Sequence, residues 1–146
     1  MKEAYLDSSI VVAIYCVEIH SARAEKAVSG LSVRYLSQKT EVEVAHALRF
    51  KVDRGELSRE GGYAAWSQFL QHIQHGVYRR CPVTSDHWAR TMELAWMLEQ
   101  RVRSLDAIHL SVAEAYQVGF ASLDKRQLKG AQELHLPLLQ VGDEEE

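Results

Sequence analysis

At 146 residues the chain can bury one apolar core without disulfides or structural metal, so a single domain is expected. With 47% hydrophobic and 25% charged residues it matches ordinary soluble proteins, which excludes a disordered chain and a membrane protein. A net charge of −3 argues against a passive nucleic-acid binder that relies on a large Lys and Arg excess to release counterions, without excluding a nuclease.

Residues 2–6 read as a short strand ending at Asp7-Ser8-Ser9, whose turn and cap types lead into an apolar helix over 10–17. Ser21 is assigned as the cap of a helix over 22–29 that Gly30 breaks, and residues 32–36, with Val33 and Tyr35, form a second strand. Thr40 and Glu43 match the Thr-x-x-Glu capping box, so the next helix is predicted to start at Thr40 and run through Val44, Ala47, Leu48 and Lys51 to Gly55. Ser58 opens another, with Trp66, Phe69, Leu70 and Ile73 on one face, stopped near Gly76. Residues 77–83 resemble a short strand containing Pro82, and Thr84 or Ser85 then caps a helix through Trp88, Met92, Trp96 and Leu98. Ser104 is assigned as the cap of a helix over 105–117, with Gly119 as its C′ residue. A strand over 120–123, a helix from Asp124 to Leu134 and a last strand over 137–141 complete the chain. Trp66, Phe69, Trp88 and Trp96 are assigned to the core, with part of this aromatic surface available to a dimer interface. The alternation predicts an α/β fold built on a parallel sheet.

The first residues are too few and too charged for an export signal, and no apolar run approaches the roughly 18 residues that span a bilayer. Cys16 and Cys81 lack CxxC spacing, which reads as buried free thiols in a reducing cytoplasm.

Asp7, Glu43, Asp106 and Asp124 share one placement: each stands where a strand has just ended or a helix has just begun. Strand ends of an open parallel sheet meet along one crevice, so carboxylates far apart in sequence converge there. Converged like charges raise one another's pKa unless a cation neutralises them, and a hard ion such as Mg2+ takes oxygen ligands while retaining water and phosphate oxygens. The pattern points to metal-dependent phosphodiester cleavage. Taken singly, each acid is an ordinary cap or strand-end residue; the shared topology carries the reading. Glu41, also near the helix start, is assigned to solvent. Glu43-x-x-His46 and Asp106-x-x-His109 also match the spacing of di-iron carboxylate bundles, which the strand-like segments oppose, leaving His109 as a packed, hydrogen-bonded core residue. An aspartyl-phosphate enzyme would likewise put Asp7 after its first strand, but Asp7-Ser8-Ser9 lacks the second acid of a DxD motif. Arg49, Lys51, Arg54, Arg79, Arg80, Arg101 and Arg103 are candidate phosphate-facing cations, most of them expected to be solvated surface.

Tyr5-Leu6-Asp7-Ser8-Ser9, Glu43-Val44-Ala45-His46-Ala47-Leu48, Arg103-Ser104-Leu105-Asp106-Ala107-Ile108-His109-Leu110 and Ser122-Leu123-Asp124-Lys125-Arg126 resemble, in order and spacing, the motifs of PIN-domain ribonucleases, especially VapC-type toxins of toxin-antitoxin pairs. The Asp106 segment is the most specific, and the resemblance covers residues 6–139. It implies a PIN-like three-layer sandwich with a central parallel sheet of four to five strands flanked by helices, a single domain over 1–141 and an acidic flexible tail over 142–146. It also implies a Mg2+-dependent endoribonuclease, Mn2+ being possible, with Asp7, Glu43, Asp106 and Asp124 as its catalytic and metal-binding quartet. Ser8 or Ser9 matches the small hydroxyl after the first Asp, and Ser122 the Thr or Ser two before the last. With Arg103, which would touch the RNA backbone or a neighbouring acid, these are the candidate substrate-binding residues. The resemblance further implies RNA ends carrying 5′-phosphate and 3′-hydroxyl, a homodimer, a cognate VapB-type antitoxin that blocks the site, and a cytoplasmic location. A housekeeping nuclease, or a catalytically silent PIN-fold module for RNA binding or assembly, remains open.

Overall fold

The computed structural model describes residues 1–142, so the acidic tail expected over 142–146 lies, past Gly142, outside the described residues. Four strands, Glu3–Leu6 (β1), Val33–Leu36 (β2), Arg79–Arg80 (β3) and Gly119–Ala121 (β4), form one parallel sheet in the order β3-β2-β1-β4. Around it lie Ser8–Tyr15 (α1), Ser21–Ser29 (α2), Gln38–Asp53 (α3), Arg59–Gln74 (α4), Ser85–Met97 (α5), Ala107–Tyr116 (α6) and Lys125–Glu133 (α7). This is the expected three-layer α/β sandwich. None of the described helices is long and apolar enough to cross a membrane.

Strand β1 is central, and its alternate side chains feed two cores. Ala4 and Leu6 pack with apolar residues of α1 to α4, while Tyr5 and Phe120 pack with those of α5, α6 and α7. Burial on both faces is what a parallel sheet with helices on each side requires. From β1 the chain moves outward to β2 and β3, then returns to the other side of β1 as β4. The strand order therefore reverses between β1 and β4, and the carboxyl ends of those strands open on the crevice where such sheets bind ligands.

Several predicted elements shift, each for a tertiary reason. Helix α3 begins at Gln38 after Ser37, so Thr40 is not its cap. Both hydroxyls are drawn inward instead. Ser37 Oγ lies 2.8 Å and Thr40 Oγ1 3.2 Å from the Tyr5 hydroxyl, and Thr40 donates to the Leu6 carbonyl at 3.2 Å. Ser21 begins α2 rather than capping it, because its hydroxyl donates to the Cys16 carbonyl. Helix α6 starts at Ala107 with Asp106 as its N-cap residue, residues 104–106 forming a turn rather than the expected first turn of helix. Its end is the left-handed Gln117, φ 55°, not Gly119. Gly119 opens β4, where a Cβ would collide with Met1 Sδ and come within 3.1 Å of the Glu3 carbonyl.

The strand expected over 77–83 shrinks to Arg79–Arg80, since Pro82 cannot donate to a ladder. The last strand reduces to one parallel bridge between Phe120 and Leu138, Pro137 likewise having no N–H to extend it. Phe69 is fully buried and Trp66 partly so, but Trp88 and Trp96 are 48% and 92% exposed, contrary to the core assignment. Helix α5 turns Thr91 and Leu94 toward α6, Thr91 Oγ1 lying 2.7 Å from Ser111 Oγ, so Trp88, Met92 and Trp96 share the outward face at four-residue spacing. Glu41 is buried rather than solvated, and its carboxylate accepts from Arg80 at 2.9 and 2.6 Å, tying α3 to the edge strand.

Because Thr40 is a buried tertiary link, Thr40→Val is expected to lower the unfolding free energy in urea by about 1–2 kcal/mol, the cost of leaving buried groups short of a partner. An unchanged midpoint would show that these bonds carry no net stability.

Candidate active site

The main-chain N–H of Asp7 donates to the Ala121 carbonyl at 3.1 Å, so strand pairing itself sets Asp7 beside the end of β4. Its Oδ1 accepts from the Ser9 N–H at 3.0 Å, the Ser9 hydroxyl at 2.6 Å and the Ile10 N–H at 3.3 Å, capping α1. Its Oδ2 accepts from the Ser122 hydroxyl. Ser122 Oγ also receives the Asp124 N–H, and Ser9 Oγ the Leu123 N–H, each at 2.9 Å. Two serines thus stitch the ends of β1 and β4 together. The hydroxyl left open between Ser8 and Ser9 is Ser9's as far as Asp7 is concerned, while Ser8 lines an adjoining cleft of about 300 Å³ with Ser9, Val12 and Leu123. Asp7 is 1% exposed, and this burial pushes its carboxyl above the usual range, against the charge of His109 and the hydrogen bonds from Ser122, Ser9 and Ile10.

Glu43 lies in the second turn of α3. His109 Nε2 stands 2.5 Å from its Oε1 and Lys39 Nζ 2.8 Å from its Oε2. Burial pushes the Glu43 carboxyl up, but the hydrogen bonds and charges of His109 and Lys39 outweigh it and hold the group below its usual range. His109 is fully buried, as expected of a core histidine, and its Nδ1 lies 2.5 Å from the Tyr5 hydroxyl. His109 Nε2–H donates to the carboxylate, and Nδ1 is hydrogen-bonded to the Tyr5 hydroxyl, which also bonds Ser37. A buried chain of hydrogen bonds therefore orients Glu43 from below.

Asp106 sits at the lip of α6, half-buried. Burial raises its carboxyl, the negative charges of Glu43 and Asp124 raise it further, and Lys39 and His109 oppose them. Asp124 is exposed and caps α7, its Oδ1 accepting from the Arg126 N–H at 2.8 Å and the Gln127 N–H at 3.4 Å. Glu43 and Asp124 both act on Asp106, and His109 acts on Asp7, Glu43 and Asp106 alike. Four hard oxygen donors with hydroxyl support suit a divalent cation such as Mg2+. Asp7, Glu43 and Asp124 are held by internal partners, and among the described residues no three His, Cys, Asp or Glu side chains are grouped to hold an ion.

Arg103 stands exposed in the segment leading to Asp106. Most other candidate cations serve the fold: Arg49 pairs with Asp53, Lys51 with Glu18 and Glu56, Arg54 with Glu56, and Arg79 lies over the Tyr35 ring. A larger cavity of about 700 Å³ between α3 and α4 is lined by none of the four acids. Sequence reasoning missed Tyr5, Ser37 and Lys39. The first two carry no local signal, whereas a lysine in the first turn of a helix is one.

The PIN domain family's sequence profile matches residues 4–133. The chain belongs to the PIN domain family. It is 29% identical over 126 residues to Ribonuclease VapC1 of Mycobacterium tuberculosis, covering 86% of this chain and 89% of that protein. Its fold resembles the crystal structure of the sarcin-ricin loop cleaving toxin VapC20 of the same species, with TM-score 0.66, 18% identity, and 86% and 92% of the two chains covered. It also resembles VapBC2 of Rickettsia felis bound to a promoter DNA fragment, with TM-score 0.65, 14% identity, and 93% and 96% covered. The di-iron bundle and the aspartyl-phosphate alternative fall away with this assignment.

A carboxyl whose pKa is raised by folding binds its proton more tightly folded than unfolded, so it withdraws stability as pH rises from the usual carboxylate range through its folded pKa. Asp7 and Asp106 act in this sense and Glu43 in the opposite one, so the Asp7 contribution must be read as a difference. In chelator, Asp7→Asn is expected to melt at least as high as the unaltered chain at pH 7, with the advantage shrinking toward pH 4. A lower melting temperature at pH 7 would show that the Ser9 and Ser122 bonds to the carboxylate outweigh the cost of burying its charge.

Proposed function

We propose that this PIN-family protein is a divalent-metal-dependent endoribonuclease, the toxin of a toxin-antitoxin pair. The reading draws on Asp7 held at the carboxyl end of β1 beside β4, where the strand order reverses, and on the charges of Glu43 and Asp124 acting on Asp106. Similarity to the ribonuclease VapC1, and the fold shared with VapC20, support RNA as the substrate. Asp7, Glu43, Asp106 and Asp124 would hold Mg2+ or Mn2+, which when bound supplies charge stabilisation at the scissile phosphate and an activated water.

The chain's own residues do the rest. Ser9 and Ser122 hold the Asp7 carboxylate at one angle, and His109 with Tyr5 holds Glu43. The N-termini of α6 and α7, behind Asp106 and Asp124, favour an anion in the crevice. Arg103, exposed beside Asp106, contacts the RNA backbone. The fold shared with the VapBC2 complex supports an antitoxin protein as partner. The exposed Trp88, Met92 and Trp96 face of α5 suits a homodimer. Action on cellular RNA places the protein in the cytoplasm.

A second reading, a catalytically silent PIN-fold module that binds RNA or a partner, draws on one observation: among the described residues no three acidic, His or Cys side chains are grouped for an ion. Incubating RNA with the protein in Mg2+, in chelator, and with Asp7→Asn or Asp106→Asn in Mg2+ separates the two. Cleavage in Mg2+ alone is expected, with losses beyond about hundredfold in the other three, larger than typical outer-shell effects. Fragment ends should carry 5′-phosphate and 3′-hydroxyl. Equal cleavage in all four would sink the metal reading, and tight RNA binding without any cleavage would favour the silent module.

A further inference from the structure

Lys39 is placed against every local preference. It is the second residue of α3, in the turn where the helix dipole disfavours cations. It precedes Glu43 by four residues, the weaker order for such a pair. Its side chain is only 16% exposed, although lysine ordinarily keeps its ammonium in water. Helix propensity and surface solvation therefore do not account for it. The acids do, since Nζ lies 2.8 Å from Glu43 Oε2 and its charge acts on Asp106 as well. A unit positive charge stands where two neighbouring carboxylates would otherwise repel each other. The other oxygen of Glu43 is already taken by His109, so Oε2 is the one an incoming ion would need.

We propose that Lys39 is the resident counter-cation of the acidic crevice, and that a divalent ion binds by displacing its ammonium from Glu43 Oε2. This rests on the metal reading above and deepens it. The lysine offsets the repulsion between Glu43 and Asp106 without an ion and sets metal affinity below what the acids alone would give. It acts as a positioning residue on Glu43, not as a catalytic group.

Mn2+ binding to the purified protein, followed by calorimetry and by the electron-spin signal of free Mn2+, tests this without any RNA. Lys39→Met, close in shape but uncharged, is expected to bind Mn2+ about tenfold tighter than the unaltered chain, a difference of one decade for one removed charge contact. Lys39→Arg keeps the charge and is expected to stay close to the unaltered affinity. The melting temperature of Lys39→Met should fall below that of the unaltered chain in chelator and gain more on adding Mn2+. Equal or weaker Mn2+ binding by Lys39→Met overturns the role of Lys39 while leaving the metal reading standing. Absence of saturable Mn2+ binding by the unaltered chain overturns both.

Discussion

The reversal of strand order beside β1 is the constraint on which the site depends. A parallel sheet needs crossover connections, and here they carry the chain first to one side of β1 and then to the other. Only at that point do two neighbouring strands send their following segments apart, leaving room above their carboxyl ends. The backbone bond from Asp7 to Ala121 and the hydroxyls of Ser9 and Ser122 fix that gap at one width. Residues more than a hundred positions apart in sequence become neighbours there, through ordinary strand pairing rather than any special loop.

The crevice floor is polar in an otherwise apolar interior. Tyr5 stacks on Phe120 with ring centroids 6.1 Å apart, yet its hydroxyl reaches Ser37, Thr40 and His109. Such a network is tolerable in a core only when its members find partners, because an unpaired buried polar group is costly. Its consequence is orientation. His109 cannot turn without breaking a bond at each ring nitrogen, so Glu43 meets a fixed donor on one side and the Lys39 ammonium on the other. Asp7 is held as firmly, but by neutral hydroxyls and N–H groups. Full burial raises the carboxyl of Asp7, whereas at the less buried Glu43 the hydrogen bonds and charges of His109 and Lys39 outweigh burial and lower it.

Much of this was legible in the chain. Alternating apolar strands and helices, Gly55 and Gly76 after their helices at φ +75° and +76°, and the Ser58 cap all read locally because local backbone sterics and hydrogen bonding decide them. The places of Asp7, Asp106 and Asp124 at helix N-termini were legible for a related reason: position relative to an element's end is a sequence property. Thr40 misled because its hydroxyl has two uses, and the buried Tyr5 and Leu6 outbid the helix terminus. Glu41 and the α5 tryptophans misled because helical spacing shows that a face exists without showing what covers it.

By itself the amino-acid sequence determined the α/β alternation, the family and the placement of Asp7 and Asp124 just after strands, since each follows from short-range pattern and topology. Tertiary structure alone decided that Ser9 rather than Ser8 holds Asp7, that His109 and Tyr5 support Glu43, that Glu41 clasps Arg80, and that Lys39 stands among the acids. Those are contacts between side chains from different elements. Their partners are set by how helices pack on the sheet, and no spacing along the chain encodes that distance.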